Sequence, residues 1–459
     1  MFHRICLFLF VLALSVIPFM ACSPFLDIDL SPQLIESENL LINEETAQSA
    51  VNGVYTHMRT GNPWIANGAA AIYGGLAADE LHPSAENAIY LPFYRNVLSA
   101  DNSTIGSSLW SPGYQTIFRC NTLLAGLRQN NPLDEEVQNR LLGELLTSRA
   151  FLYTYLAGFF ENIPLVLSAD YTVTATLPQS EFQEVMQQVA DDLREARMRF
   201  GKPEMAVTKT RPTYWAATAL LARISLYLGH YDDAATLASE VIDAGWYRLS
   251  NELAEVFSKG GDETIWEIAP PNGTGNTPQG SAFLPASPNS LSPILLTPGL
   301  IESFESKDER LIQWIGYSEV AGEKEYYPRK YRQPQFGQTF EYLVVLRLAE
   351  LYLLRAEARF MDGDYANAVA DLNIIRERAG ATLITDFETV ELLWSAIVKE
   401  RRQELFAEWG HRWFDMRRWG IIDEVMKAAN TDWQPEYALF PIPERQLEYN
   451  YTLIQNPGY

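Results

Sequence analysis

Residues 398–420 hold the densest set of chemically capable side chains in this sequence. They read VKERRQELFAEWGHRWFDMRRWG, with one Lys, five Arg and one His. Cations at that density suit either a nucleic-acid backbone or a structural ion-pair network. The chain around them carries a net charge of −23 and a pI near 4.7. Polyanion binding is driven by Lys and Arg releasing counterions, so that balance favours neutral ligands or a basic partner and speaks against nucleic acid. Placed on a helix, Leu393, Ile397 and Leu405 share one face, and Glu400, Glu404 and Glu408 stack at i, i+4 on another. Like charges so stacked repel by a few tenths of a kcal/mol each (~0.2–0.5). Basic groups from the next segment, Arg412, Arg417 and Arg418, are expected to offset this. Trp409, Trp413, Phe414 and Trp419 are interleaved as in a segment packed on a core. The stretch therefore reads as a balanced ion-pair network.

Other chemistry is sparse. The 58 acidic residues offer many accidental carboxylate pairs for glycoside hydrolysis. Asp79-Glu80 is the best placed of them, although a turn or helix cap accounts for it more simply. No GxSxG, HExxH, complete GxGxxG or P-loop occurs. NGTGNTP at 272–278 starts like a glycine fingerprint and fails at its last position. His57, His82, His230 and His411 lie too far apart in sequence to suggest a metal site, and no cofactor is expected.

The elements that must position these residues are mainly helical. Amphipathic or apolar helical patterns cover 44–59, 110–127, 135–160, 181–200, 214–229, 232–244, 346–362 and 365–379. The 135–160 run is apolar nearly all round and should be buried. GHYDDA at 229–234 and GDYANA at 363–368 both read G-x-Y-x-x-A between two helices, a tetratricopeptide-like signature. The copies lie 363 − 229 = 134 residues apart, so no regular tandem array is expected. Helices 44–59 with 110–127, and 135–160 with 181–200, could supply the remaining repeats. Residues 60–108 and 246–342 are rich in Gly, Pro, Asn and Ser and read as irregular, the second with minor strands such as TIWEIA. A loop-rich insertion as long as 246–342 in a helical scaffold is usually functional or disordered, and Trp266, Phe283, Trp314 and Tyr317 favour an ordered one. Coarse boundaries are thus 44–245 for an N-terminal helical part containing loop 60–108, 246–342 for the insertion, and 343–459 for a C-terminal helical part.

Residues 1–21 form a signal peptide, with His3 and Arg4 before an apolar run from Ile5 to Phe19. Ala21-Cys22 resembles a bacterial lipobox, with Phe19 where Leu is usual. Cys22 is the expected lipid anchor and 22–43 the tether. Cys6 lies in the leader, so Cys120 has no partner left for an intramolecular disulfide.

Taken together these pieces resemble the SusD/RagB family of nutrient-capturing outer-membrane lipoproteins of Bacteroidetes. The resemblance is carried by ERRQELFAEWGHRWFDMRRWG, by LRLAELYLLRAEARFMDGDYANAVADLNIIRERAG at 346–380, by SLWSPGYQTIFRCNTLL at 108–124, by EETAQSAVNGVY at 44–55 and by FPIPERQLEYNYTLIQNPGY at 440–459. It implies a mainly α fold, a scaffold of four tetratricopeptide-like hairpins with a loop-rich subdomain containing minor β. It also implies a non-enzymatic role: binding oligosaccharides or other nutrients at the cell surface and delivering them to a SusC-like TonB-dependent transporter. In the starch-binding type member an arc of aromatic rings stacks on the glucan, but no motif here aligns with it. Composition alone points to the loops 60–108 and 266–317, with Trp64, Tyr90, Tyr94, Arg95, Asn96 and Phe283 as candidate ligand contacts. A peptide-binding adaptor and a secreted glycosidase are the competing readings.

Overall fold

The computed structural model describes residues 41–459 apart from 62, 130–131, 202–207, 272–274, 288–289, 334–337 and 339. The leader, Cys22 and the tether to residue 40 lie outside the described residues, as does the start of the 272–278 run. Helix α1 (Glu44–Arg59) is capped by Asn43, whose side chain accepts from Thr46 N at 2.9 Å. Then come α2 (Ala69–Ala77), α3 (Ser111–Arg128), α4 (Glu135–Phe160), α5 (Phe182–Phe200), α6 (Tyr214–Tyr227) and α7 (Tyr231–Asp243). The C-terminal part supplies α8 (Leu348–Met361), α9 (Tyr365–Arg378), α10 (Val390–Leu405), α11 (His411–Arg418) and α12 (Ile422–Ala429). The protein is mainly α, as expected.

From α3 to α9 each helix packs on the next, and α1 lies across α3 and α4. Helix α7 packs directly on α8, so the two G-x-Y-x-x-A hairpins are neighbours in space and the chain between them loops out of the stack. Both hairpins turn the same way. Gly229 and Gly363 adopt φ of 75° and 81°, which a residue with a Cβ strongly disfavours. The next N–H then reaches five residues back, His230 to Ser225 O and Asp364 to Arg359 O, at 2.8 Å each. Ala234 and Ala368 are fully buried at the helix contacts. Buried bidentate pairs lock neighbouring helices: Arg149 with Asp192, Arg223 with Glu350, and Arg355 with Asp371, at 2.6–2.9 Å. A slip by one turn would strand each charge in the core, at a cost of about 3–5 kcal/mol apiece. Helix α4 is buried from Leu141 to Phe160, and the rings of Trp266 and Trp409 close on its Phe151 at 5.1 and 5.3 Å.

The longer strands are β1 (Leu81–Pro83), β2 (Thr264–Ile268), β3 (Ile294–Leu296), β4 (Ile315–Val320), β5 (Glu323–Pro328) and β6 (Leu343–Arg347). β1 pairs antiparallel with β3, β2 with β6, and β4 with β5. The β1–β3 pair ties loop 60–108 to the insertion.

Two expectations need correction. Residues 60–108 are not simply irregular: α2 runs through them with every residue buried. Gly74 and Gly75 lower its helix propensity, yet their missing side chains admit close neighbours. A Cβ on Gly74 would meet Gly410 Cα at 3.0 Å, and one on Gly75 would meet Leu81 Cδ1 at 2.6 Å. Tertiary packing thus offsets the local cost of two glycines in an otherwise alanine-rich helix. Second, α10 ends at Leu405, and Ala407 and Trp409 turn the chain with φ of 53° and 48°. Glu408 therefore leaves the helix, and the three carboxylates are offset by cations from elsewhere. Glu400 accepts from Arg310 at 2.8 Å and Arg376 at 2.7 Å. Glu404 accepts from Arg310 at 3.0 Å, Arg347 at 2.7 Å and Arg378. Glu408 takes Arg347 Nε at 2.9 Å and Lys330. Burial opposes ionisation of Glu404, but Arg378, Arg347 and Arg310 outweigh it and hold the carboxyl well below its usual range. Arg417 pairs with Glu161, and Arg418 with Glu357 and Asp415. Every arginine of 398–420 thus pairs with a carboxylate of the same chain, Arg401 with Asp415 and both Arg402 and Arg412 with Asp79. The ion-pair network of the sequence reading holds, with different partners.

Candidate functional site

The segment after α2 carries the cluster that matters most. Ala78, Asp79 and Glu80 turn the chain out of α2 into β1, in line with the turn reading. A short helix, Leu91–Tyr94, follows, and its end brings Tyr94 and Arg95 to the surface. Asn96, at φ 53°, sends its side-chain N–H back to Ala77 O at 2.9 Å. It thereby satisfies a carbonyl that the end of α2 leaves unpaired. Asn430, just past α12, donates to Arg95 O at 2.9 Å and fastens that helix to the segment.

Between these elements lies a solvent-open cleft of about 720 Å³. Its walls are Asp79, Tyr94 and Arg95 on one side, Thr297–Gly299 beyond β3, Arg402 and Arg412 at the base, and Glu424, Val425, Met426 and 428–430 along and just past α12. Asp79 organises the base. It accepts from Arg412 Nε at 2.7 Å and Nη2 at 3.1 Å, and pairs with Arg402 Nη2 at 2.7 Å. Burial would raise the Asp79 carboxyl, but Arg412 and Arg402 hold it below its usual value. Glu80 points inward, its Oε2 accepting from Ala407 N at 3.3 Å. Burial, with the Asp79 charge beside it, pushes that carboxyl up to about 8. A narrower groove of about 350 Å³ adjoins the cleft, sharing Arg402, Arg412, Glu424 and Val425 and continuing to Trp394 and Lys399.

Of the residues singled out from composition, the structure brings Tyr94 and Arg95 together at the cleft. Tyr94 is 40% exposed, with its ring 6.1 Å from that of His82. Tyr90 is half-buried and leans on Tyr73. Trp64 and Phe283 are each only 3% exposed and Asn96 2%, so they present no platform to a ligand. Trp64 packs edge-on against His57 at 5.4 Å, and Phe283 belongs to the main core. Large rings end in cores because burying them is worth more than displaying them. In the other candidate loop Tyr317 is exposed instead, on the β4–β5 hairpin with Lys324 Nζ 4.3 Å from its ring. Sequence reasoning did not assign Arg402, Arg412, Trp394 or Asn430 to a site. The arginines stood out only as members of a charged run, and Asn430 carried no signal.

Comparison with known proteins agrees with this architecture. A family model described as the SusD family matches residues 321–459. A second, described as "Starch-binding associating with outer membrane", matches 27–226. SusD-like protein P25 of Formosa agariphila is 25% identical, over 96% of this chain and 97% of its own. A solved laminarin-binding SusD-like protein is 26% identical with a TM-score of 0.77, over 91% of this chain and all of that one (100%). A SusD superfamily protein from Bacteroides vulgatus shares the fold at a TM-score of 0.80 and 21% identity, over 91% and 99% of the two chains.

Proposed function

Because the chain belongs to the SusD/RagB family of SusD-like carbohydrate-binding proteins, we propose that it captures oligosaccharides in the Tyr94–Arg95 cleft and passes them, uncleaved, to a SusC-like TonB-dependent transporter. In this reading it is held at the outer-membrane surface by a lipid on Cys22. The observation that carries the proposal is the cleft itself. It offers one exposed aromatic face next to planar guanidinium donors, which suits a sugar ring with an apolar face and a hydroxylated edge. Its volume of about 720 Å³ falls in the range of small-ligand sites, roughly 300–1,000 Å³. The laminarin-binding relative supports a glycan as the ligand class.

The Asp79-Glu80 pair is ill placed for hydrolysis. Both Asp79 oxygens are held by guanidiniums, and Glu80 is only 2% exposed. A glycosidase needs one carboxyl free to protonate the leaving group and another free to attack or to activate water.

The test is affinity electrophoresis of the chain from residue 23 onward, through gels each containing one polysaccharide. Retardation by one of them without its breakdown supports the reading. Hydrolysis during prolonged incubation overturns the non-catalytic part. No retardation by either neutral or acidic polymers overturns glycan capture. Co-purification of a large barrel from detergent-solubilised outer membranes tests the delivery step, and failure to recover one refutes it.

A further inference from the structure

Two guanidiniums share one carboxylate at the base of the cleft. Asp79 offsets one charge of the Arg402–Arg412 pair. The next carboxyl, Glu80, sits in the core close to both arginines, and its upward shift to about 8 leaves it protonated near neutral pH. Among the described residues Asp79 is the one ion-pair partner of both arginines. The cluster is also short of hydrogen bonds: the buried atoms Arg402 Nε, Arg412 Nη1 and Glu80 Oε1 have no partner among the described residues. The imbalance extends along the floor of the cleft and the adjoining groove. The lining cations are Arg95, Lys399, Arg402 and Arg412, against Asp79 and Glu424. The Arg95 side chain is 56% exposed and its pairing with Glu86 is long, at 3.4 Å between two exposed groups. Such a pair contributes little. Lys399 is exposed. Across the whole chain the balance is the reverse, with 35 Lys and Arg against 58 Asp and Glu. A local excess of cations in a chain that repels polyanions is the signature of a built anion site, because field lines concentrate in a cleft.

We propose that the cleft and the groove adjoining it take an acidic saccharide, whose carboxylates or sulfate esters are met by Arg95 and Arg402 in the cleft and by Lys399 in the groove. The proposal rests on the glycan-binding reading and narrows its substrate class. Arginine presents a planar fork that fits either anion bidentately, and charge-assisted hydrogen bonds are roughly twice as strong as neutral ones. Tyr94 supplies a ring face in the cleft, and the half-buried Trp394, packed against Phe360 and Trp419, forms apolar wall in the adjoining groove. The chain-wide acidity that favours neutral ligands at sequence level then acts as a filter: only a polyanion with a residue seated in the groove is held.

The test uses the chain from residue 23 onward with polygalacturonate, dextran sulfate and laminarin, at about 50 mM and about 500 mM NaCl, which span the range over which exposed charges become screened. The expected result is retention by polygalacturonate or dextran sulfate, weakened at least fivefold at the higher salt. Which of the two is retained identifies carboxylate or sulfate as the bound group. Arg95→Gln and Lys399→Gln, both at exposed positions, should each weaken binding about three- to fivefold without lowering Tm. Retention by laminarin alone, insensitive to salt, would overturn the acidic-sugar assignment and leave the glycan reading standing. Retention by an acidic polymer that neither substitution changes would place binding elsewhere and overturn this site. Retention by none of the three overturns the acidic-sugar assignment, and the glycan reading falls too if a wider polysaccharide panel also fails.

Discussion

Replacing Tyr94 with Ala should weaken glycan binding several-fold while leaving the fold intact. The ring is 40% exposed. A tyrosine side chain offers roughly 150–250 Å², so about 60–100 Å² of it faces the cleft. A sugar laid on one face covers about half of that, some 30–50 Å², worth about 0.8–1.3 kcal/mol at 25 cal/mol per Å². That corresponds to about a four- to eightfold rise in Kd. Stability should change little, by less than about 0.5 kcal/mol, because the ring contributes mainly surface. Isothermal titration with the retarding polysaccharide, alongside a thermal melt of the same samples, reads both quantities. Phe283→Ala is the contrast. Its ring is 3% exposed, so truncation should cost about 3–5 kcal/mol and reduce binding only by unfolding the protein. Wild-type affinity in Tyr94→Ala at unchanged Tm would show that the ring does not touch the ligand. A fall in Tm of several degrees together with affinity would show that Tyr94 is a structural residue, and would refute the platform reading just as firmly.

The remaining predictions concern the core, pH and the anchor. Glu404→Gln removes the charge that Arg310, Arg347 and Arg378 share, and should lower the unfolding free energy by about 3–5 kcal/mol in urea; a loss under about 1 kcal/mol would contradict the network's role. Burial opposes ionisation of Glu350 and Asp415, but Arg223 and Arg401 lead the groups that hold both near 2, so the stability they confer is present above their ordinary values of 4.5 and 3.8 and disappears as pH falls through about 2. Burial holds His411 near 4, which adds a loss that begins below its ordinary 6.5. Between pH 6.5 and 4.5 the Glu80 contribution, which grows as pH falls, offsets the His411 loss, so Tm should fall chiefly between pH 4.5 and 2, and a flat profile there would contradict the carboxylate assignments. Glu80 has the opposite sign: its contribution is intact below 4.5 and disappears as pH rises through about 8. Glu80→Gln, which cannot ionise, should thus gain on wild type between pH 5 and pH 9 by on the order of 2–4 kcal/mol, and an equal difference at both pH values would sink the argument. Cys22→Ala should move the protein from the membrane to the soluble fraction and abolish fatty-acid labelling, and a labelled variant would remove the anchor proposal.

Local patterns carried much of the scaffold. The G-x-Y-x-x-A turns were visible because the positive φ at Gly229 and Gly363 and the small Ala contacts are demands made within a few residues. Helix α4 was legible because its apolar faces are contiguous in sequence. Helix α2 was hidden because it lies inside a stretch rich in Gly, Asn, Ser and Pro, and its paired glycines are explained only by Gly410 and Leu81 lying against them. The candidate site divides in the same way. Tyr94 and Arg95 could be named from loop composition, while Trp64 and Phe283, equally aromatic in equally irregular stretches, turned inward. Burial depends on which neighbours arrive, and a single sequence does not display them.

By itself the sequence determined the helical class, the repeat unit, the acidic balance and the paired character of the 398–420 arginines. Each follows from periodicity, composition or charge counted over a short window. Only the tertiary structure decided which cation meets which carboxylate, where the stack closes over its insertion, and that Asp79 and Arg412, 333 residues apart, form the base of one cleft. Contacts at that separation depend on loop closure and on the summed packing of every helix between them. The local excess of positive charge in a negative chain exists only once those helices are in place.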